Sequence, residues 1–376
     1  MSTLSSDLAD LLALHQIDGL GPQRISALLA HFETAARVLR ASSDELLRVP
    51  GIGKQLASSI AAALPTVDGR AELQRLERAN VRVLRRGAAD FPACMADLPG
   101  SPLLLFCRGE LLPSDARAVA LVGTRHPNPY GKRVARQLAE GLARAGVTVV
   151  SGLARGIDGI AHRAALDAGG RTLAVLAGGL SRIYPPEHTD LADQITRSGA
   201  LLTEATFLQD PSPWRFPARN RIISGLSKLV VIVQAPASSG ALLTAEHAAE
   251  QGRQVLAVPG AIDDETQAGC HRLLREGAIL CRGVEDILEE LDGVSACAMR
   301  SAERSPTVTT ACAPAPKPEL TGTDQQIWEA LAQGPLAIDL LAQRLDQPIS
   351  QLSGALLGLE LRRLVRRLPG NRFERV

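Results

Sequence analysis

The chain has 376 residues, 45% hydrophobic and 22% charged, with a net charge of only +1. This composition indicates a globular protein with room for two or three domains, and it excludes a uniformly basic nucleic-acid binder. The six cysteines lack the close spacing of zinc or redox motifs, and no apolar run reaches the ~20 residues of a membrane span. We therefore expect a reduced, cytoplasmic protein that holds no metal and no membrane segment.

The N-terminal segment, residues 1–67, has the pattern of a helical module with the glycine turns of helix-hairpin-helix or SAM-like domains. Gly19-Leu20-Gly21 and Gly51-Ile52-Gly53 each place two glycines around an apolar residue between predicted helices. In such elements the backbone N–H groups of the turn approach a DNA phosphate at a helix N-terminus. The same glycines would also suit a structural module or one that docks a protein, so both interpretations stay open.

Residues 68–291 are expected to form an extended Rossmann-like domain. Two early runs, at residues 81–84 and 103–107, are predicted to extend the central sheet with antiparallel strands. From residue 118 onward β-rich runs alternate with helical patterns, which predicts right-handed βαβ units and a parallel sheet. The predicted helices cover residues 130–145, 158–168, 188–198, 218–226, 239–251 and 267–276. Ligands of such open sheets bind at the carboxyl ends of the strands.

The C-terminal part begins with residues 292–319, where periodicity is lost and alanine and proline accumulate, which predicts a linker. Residues 320–376 have the pattern of three helices and two strands around a Pro-Gly-Asn turn, as in a winged helix. Six arginines make this tail basic: Arg362, Arg363, Arg366, Arg367, Arg372 and Arg375. A winged helix can bind a DNA groove or a protein, and the sequence supports the two equally.

No cofactor motif follows the predicted strands. The turn after the first parallel strand, residues 123–131, lacks the three glycines that a dinucleotide pyrophosphate requires for close approach. A glycine-lysine loop of the Walker type is also missing from the sequence. We therefore expect no bound dinucleotide, no ATP hydrolysis and no cofactor.

Several motifs of the central domain occur together in one order. They are Gly123-Thr124-Arg125, residues 151–158 with Ala161-His162, Tyr184-Pro185, residues 216–221, residues 239–245 and Val258-Pro259-Gly260. This ordered set resembles the DNA-processing protein A family, DprA or Smf, and several motifs in order are more specific than one alone. One departure is Gln234, where the family commonly has a glutamate. We expect it to weaken any role for an acidic residue there and to leave the basic crevice at the strand ends unaffected.

The resemblance implies a non-enzymatic protein with several partners. It implies binding and protection of incoming single-stranded DNA, loading of the RecA recombinase onto that DNA in natural transformation, and contact with single-strand-binding protein. None of the motifs indicates the loading of RecA independently of this resemblance.

The arginines at strand ends are the candidate phosphate contacts. Arg125 has no carboxylate near it in sequence, which favours a phosphate contact. Arg219 and Arg221 lie on alternate residues and cannot face the same way, so we expect Arg219 to bind DNA and Arg221 to pair with a carboxylate such as Glu204. The full candidate set is Gly123, Thr124, Arg125, Ser151, Gly152, Arg155, Gly156, Arg219, Asn220, Arg221, Lys228, Ser239, Gly240 and Thr244.

An enzymatic alternative comes from the loop at residues 238–246. It is similar to the phosphate-cradling loop of the lysine-decarboxylase-like or LOG group, which shares this sheet architecture and hydrolyses N-glycosidic bonds of nucleotides. Only one glycine of that loop is present here. Because repeated glycines let such loops approach a phosphate closely, the hydrolase interpretation is the weaker one.

Other polar and aromatic residues invite a functional interpretation. His162 follows Asp158 by four residues, but no third ligand stands at metal-like spacing, so we expect a hydrogen-bonded structural pair. Aromatic residues near the strand ends could stack on bases. We expect Phe216 to lie in the core and leave the role of Trp214 open.

The last predicted strand, residues 278–281, is expected to form an uncovered edge of the sheet. An apolar edge invites pairing with a second copy of the chain. We therefore predict a homodimer through residues 254–290, with Ile279 and Leu280 at the interface.

Overall fold

The computed structural model describes residues 3–302, 322–331, 336–345, 347–362, 364–368 and 372–375. The chain forms two compact units, residues 1–304 and residues 305–376. None of the described helices is long and apolar enough to cross a membrane.

The first unit begins with a helical module. Its helices are α1 Thr3–His15, α2 Pro22–Phe32, α3 Ala35–Val38, α4 Ser43–Leu46, α5 Lys54–Ala63 and α6 Gly69–Arg78. The two glycine turns have the same geometry: Gly19 and Gly51 have φ near +85°, and Gly21 and Gly53 are the N-caps of α2 and α5. Positive φ favours glycine, which explains the repeated pattern. Helix α6 packs on α1, although it follows the predicted domain boundary at residue 67.

A nine-stranded sheet forms the centre of the first unit. Its strands are β1 Arg82–Arg85, β2 Leu104–Gly109, β3 Ala118–Val122, β4 Thr148–Ser151, β5 Thr172–Leu176, β6 Ala200–Thr203, β7 Leu229–Ile232, β8 Gln254–Ala257 and β9 Ile279–Leu280. They are ordered β1-β2-β6-β5-β4-β3-β7-β8-β9. Strands β3 to β9 pair in parallel, while β1 and β2 are antiparallel to their neighbours. This confirms the predicted antiparallel extension.

Helices cover both faces of the sheet. They are α7 Ala93–Ala96, α8 Pro129–Arg144, α9 Ile157–Asp167, α10 Thr189–Ser198, α11 Arg215–Leu226, α12 Ala241–Glu250, α13 Ala268–Arg275 and α14 Val284–Ala302. One face packs on α8, α9, α10, α14 and the N-terminal module, and the other on α7, α11, α12 and α13. Because both faces are buried, the parallel strands are mostly apolar rather than alternating.

The chain reverses its direction across the sheet at β3. The strands after β3 progress toward β6 on one side, and β7 then returns to pair with the other side of β3. The loops that leave the carboxyl ends of β3 and β7 therefore run to opposite faces. A crevice forms between such loops, and it is where open α/β sheets bind ligands.

The second unit contains helices α15 Thr323–Ala330, α16 Ile338–Leu345 and α17 Ile349–Leu361, and strands β10 Leu336–Ala337, β11 Val365–Leu368 and β12 Arg372–Arg375. Three helices around one apolar cluster and a small antiparallel sheet form a winged helix, as expected. Helix α14 continues to Ala302, beyond the predicted start of the linker at residue 292. Residues 303–319 of that linker and the Pro-Gly-Asn turn at 369–371 lie outside the described residues.

Candidate functional site

A groove of about 600 Å³ opens at the carboxyl edge of the sheet, between the ends of β3 and β7. The turn after β3, the loop at residues 236–240 with the first turn of α12, and the first half of α11 form its walls. Its described lining includes Thr124, Arg125, His126, Phe216, Asn220, Ser238 and Thr244. The sole carboxylate of that lining is Asp158, which is buried.

The turn after β3 presents Arg125 to this groove. The Arg125 side chain is exposed and lies over the ring of Phe216, with the guanidinium carbon 4.9 Å from the ring centroid. Across the described part of the chain, no carboxylate lies within ion-pair distance of Arg125. The guanidinium therefore keeps donors available for a phosphate.

Gln234 holds both ends of this turn. Its backbone oxygen accepts a hydrogen bond from the Thr124 N–H at 2.7 Å, and its side-chain Oε1 accepts one from the Asn128 N–H at 3.0 Å. The Gln234 Nε2 donates to Thr266 Oγ1 at 2.8 Å, which donates onward to Asp264. The departure from the family's glutamate therefore does concern the basic crevice, contrary to our expectation from the sequence.

Phe216 does not belong to the core, which corrects our expectation. It is half-buried at the groove wall and meets the exposed Tyr184 edge to face, with ring centroids 5.9 Å apart. Trp214 is 62% exposed and packs against Arg215. Helix α11 begins three residues earlier than predicted, which places Phe216 in its first turn beside the turn after β3.

The turn after β4 is held from behind by buried polar groups. The Asp158 carboxylate accepts hydrogen bonds from the backbone N–H groups of Gly152 (3.1 Å) and Ala154 (3.4 Å). Arg219, which we expected to bind DNA, is buried in the groove lining, and its Nη1 instead donates to the carbonyl oxygens of Gly152 and Val175. Burial raises the pKa of Asp158 and lowers the pKa of Arg219 to about 10, and each charge partly offsets the effect on the other.

His162 supports the same turn. Its Nε2 accepts the Leu153 N–H at 3.3 Å, and its Nδ1 lies 2.7 Å from Thr172 Oγ1. Because the Thr172 hydroxyl proton is donated to Val149 O, the His162 proton must be on Nδ1. Burial lowers the pKa of His162 to about 3. Asp158 and His162 are thus structural, as expected, but each binds the turn rather than the other residue.

Arg155 follows the same turn on its exposed side. Its guanidinium forms an ion pair with Glu187, with Nε to Oε1 at 2.5 Å, and lies near the ring of Tyr184. Gly156 brings the turns after β3 and β4 into contact, because a Cβ there would lie 2.4 Å from the Thr124 carbonyl oxygen. Arg155 lines a recess that it shares with Arg125 and Phe216 rather than the groove itself, and its charge already has a partner.

Three predicted contacts lie elsewhere. Arg221 donates to Gly100 O and to Glu204, on the side of α11 away from the groove, because it lies about 200° around the helix from Arg219. Lys228 precedes β7, at the amino edge of the sheet, so its N–H pairs with Ala118 at the start of β3. The Ser151 hydroxyl is buried and donates to Leu121 O at 2.7 Å, which removes it as a phosphate donor.

The loop after β7 contributes the remaining predicted residues. Ser239, Gly240 and Thr244 line the groove, and the Gly240 carbonyl accepts a hydrogen bond from Asn220 Nδ2 at 3.2 Å. Gly123 and Thr124 line the opposite wall. The N–H of Gly152, by contrast, is occupied by Asp158 and does not serve a ligand.

The lining residues that the predicted set lacks include His126 and Ser238. His126 is exposed beside Arg125, and Ser238 is exposed in the loop after β7. Their place directly after strand-end residues was the available signal, since both loops start at carboxyl ends of parallel strands. Among the described residues, no group of three or more His, Cys, Asp or Glu could hold a metal ion.

Residues 82–292 match the family model described as DNA recombination-mediator protein A. The chain belongs to the DprA family. Residues 11–65 of this DprA-family chain match a SAM-like helix-hairpin-helix tandem, and residues 311–371 match the DprA winged helix domain. The family assignment confirms the recognised motifs and the three-part fold.

Relatives of this DprA-family chain include Protein Smf from Synechocystis, which is 32% identical over 395 residues and is covered, like this chain, to 99%. The X-ray structure of DprA from Streptococcus pneumoniae is similar with a TM-score of 0.66 and 33% identity, over 75% of this chain and 97% of that one. DprA from Helicobacter pylori, whose structure concerns its single-stranded DNA binding mode, has a TM-score of 0.51 and 30% identity, over 56% and 95%. The chain is a DNA-processing protein of the recombination-mediator class.

Proposed function

We propose that this protein binds single-stranded DNA in the groove between β3 and β7 without acting as an enzyme. The observation that carries the proposal is the exposed Arg125 guanidinium, which lacks an ion pair among the described residues and lies over the half-buried ring of Phe216. A phosphate would bind the cation, and an unpaired base would stack on the aromatic surface. The single-stranded DNA binding of the H. pylori relative supports the same assignment.

The aromatic residues favour single strands over duplex. Phe216 is half-buried in the wall and meets Tyr184 edge to face, so a base must leave its helical stack to reach the rings. Bases in a duplex are stacked and paired, and extrusion costs a few kcal/mol per base in order-of-magnitude terms. Contacts made through phosphates and ring faces tolerate any sequence, as DNA processing requires.

The lack of an exposed carboxylate in the described lining of the groove supports binding rather than hydrolysis. The carboxylate of the described lining, Asp158, is buried and accepts two backbone hydrogen bonds. A nucleotide N-glycosidase of the LOG type would need a group that can reach the reacting bond. Incubation with nucleoside monophosphates should therefore release no free base.

The decisive experiment compares Arg125→Ala with wild type by fluorescence anisotropy on labelled oligo(dT) at one fixed low salt concentration. We expect about tenfold weaker binding and a salt dependence reduced by about one phosphate contact. Arg163→Ala is the matched control, because Arg163 is exposed on α9 and is not among the groove's lining residues. Equal affinity of Arg125→Ala and wild type would overturn the proposal.

Mediation is the second part of the proposal. The family assignment supports a cytoplasmic protein that protects incoming single strands and loads RecA onto them in natural transformation, in the presence of single-strand-binding protein. Wild type should accelerate the formation of RecA filaments on DNA coated with single-strand-binding protein. Arg125→Ala should not produce this acceleration. Acceleration by both proteins would separate RecA loading from the groove.

A homodimer through β9 completes the proposal. This strand pairs with β8 alone among the described strands, and Leu280 is 45% exposed on it. Apolar edge strands associate readily with a second copy. Light scattering should find a dimer for wild type and a monomer for Leu280→Arg, whereas Leu208→Arg, at another exposed leucine, should stay dimeric. A wild-type monomer at micromolar concentration would refute the dimer.

A further inference from the structure

A second cleft, of about 580 Å³, is connected to the groove through the recess that Arg125, Arg155 and Arg182 line. The loop at residues 180–186 separates it from the recess beside Arg155, and Arg182 lines both sides of that loop. The cleft's other walls include Arg108 on β2, Thr189 and Asp193 on α10, and Phe207. A chain that leaves the groove past Arg155 and Arg182 would meet this cleft next.

Arg108 carries a positive charge at this cleft that the protein compensates incompletely. The side chain is half-buried, and burial lowers its pKa. Its Nη2 donates to Leu180 O at 2.8 Å, whereas its buried Nε has no hydrogen-bond partner. No carboxylate among the described residues forms an ion pair with it, although Asp193 faces it from α10 at longer range. A partly desolvated cation in this state is stabilised by an incoming anion.

The rest of the cleft suits one nucleotide. Phe207 is half-buried on its wall and offers an apolar surface, and its N–H is held at 2.7 Å by the buried carboxylate of Glu72. Arg182 pairs with Asp210 at 3.1 Å, but both side chains are largely exposed, at 77% and 70%. Such exposed pairs contribute little and exchange partners readily. A phosphate on Arg108 with Arg182 nearby, and a base on Phe207, would follow from this arrangement.

We propose that this cleft is a second subsite for the same single strand, binding a phosphodiester through Arg108 after the strand crosses the loop at residues 180–186. The inference rests on the proposed function of the main groove, and it adds the path that the bound strand follows beyond that groove. DNA would run from Arg125 along the crevice to Arg155, then over Arg182 into the cleft. The second subsite predicts a longer occluded length than the main groove alone requires.

The test compares short and long oligonucleotides. Oligo(dT) of about six residues should fill the main groove alone, whereas about twenty should reach both subsites, given the span of single-strand binders. For Arg108→Met we expect about fivefold weaker binding of the long oligonucleotide and unchanged binding of the short one. Arg108→Lys should recover most of the loss, and Arg163→Met should match wild type for both lengths.

The outcomes separate this inference from the main proposal. Equal affinity of Arg108→Met and wild type at both lengths, or an equal loss at both, would overturn the second subsite. Failure of Arg125→Ala to weaken the short oligonucleotide would instead overturn the main groove. As an independent measurement, photocrosslinking with 5-bromodeoxyuridine in the long strand should label the peptide that contains Phe207. A crosslink confined to the peptide of Phe216 would count against the cleft.

Discussion

The turns after β3 and β4 adjoin one another at the same edge of the sheet, yet their surroundings differ. Behind the β4 turn lie the buried groups Asp158, His162 and Arg219, which bind its backbone. The β3 turn is instead tied by the neutral Gln234, and its arginine projects over Phe216 without an ion pair among the described residues.

The difference teaches which turn is framework and which is surface. Charged side chains that form hydrogen bonds with internal backbone groups stabilise the fold, and they are then not available to bind a ligand. A cation that lacks a carboxylate partner can form its charged hydrogen bonds with a phosphate instead. Changes behind the β4 turn should therefore alter stability, and changes around the β3 turn should alter affinity for DNA.

The largest effect is expected for Arg219→Met. This change leaves the carbonyls of Gly152 and Val175 without their donor and Asp158 without its nearest cation. We expect the free energy of unfolding to fall by about 2–4 kcal/mol, as for other buried charged hydrogen bonds. Urea unfolding measures it, with Arg163→Met as control. If Arg219→Met were as stable as wild type but no longer bound DNA, Arg219 would be a DNA contact rather than a structural residue.

The next effect concerns pH and His162. Its folded pKa of about 3 lies below the ordinary 6.5, so the unfolded chain takes up the proton first. The stabilisation is complete above pH 6.5 and is lost as the pH falls toward 3, by up to about 1.4 kcal/mol per pH unit. Unfolding at several pH values should show a steeper acid loss for wild type than for His162→Gln. Parallel curves would contradict the buried neutral imidazole.

A smaller effect is expected when the tie behind the β3 turn is cut. Gln234→Met removes the acceptor for the Asn128 N–H and the donor to Thr266. We expect about fivefold weaker binding of oligo(dT), since a misplaced Arg125 loses part of one charged contact. Gln234→Glu keeps the acceptor and should bind nearly as wild type.

A double-mutant cycle tests the same tie. The effect of Gln234→Met should vanish in the Arg125→Ala background, because both changes act on one contact. Additive losses would show that Gln234 acts elsewhere. Anisotropy at one salt concentration measures all four proteins.

The smallest effect is expected for Glu187→Gln. This change releases Arg155 from its ion pair on the exposed side of the β4 turn. Because exposed pairs contribute little, we expect binding to tighten only about twofold. Weaker binding than wild type would mean that the ion pair orients Arg155 toward DNA. In that case Arg155→Ala should weaken DNA binding by the same factor as Glu187→Gln.

Several features were accessible to sequence reasoning. The alternation of β-rich and helical runs located the parallel strands, and strand ends located Arg125 and the loop at residues 236–240. The separation of Arg219 from Arg221 also followed from helix geometry, and the Arg221 pair with Glu204 is confirmed. The burial of Arg219 did not follow, because the carbonyl groups that bind it, those of Gly152 and Val175, are distant in sequence.

The sequence by itself determined the order of elements, the family and the place where loops gather, since these depend on local periodicity and on motifs. The tertiary structure decided which charges remain for DNA. Glu187 reaches Arg155 from 32 residues away, and the carbonyls that occupy Arg219 come from 44 and 67 residues away. A charge is compensated by groups within a few ångströms, and the fold brings those groups together from distant parts of the sequence.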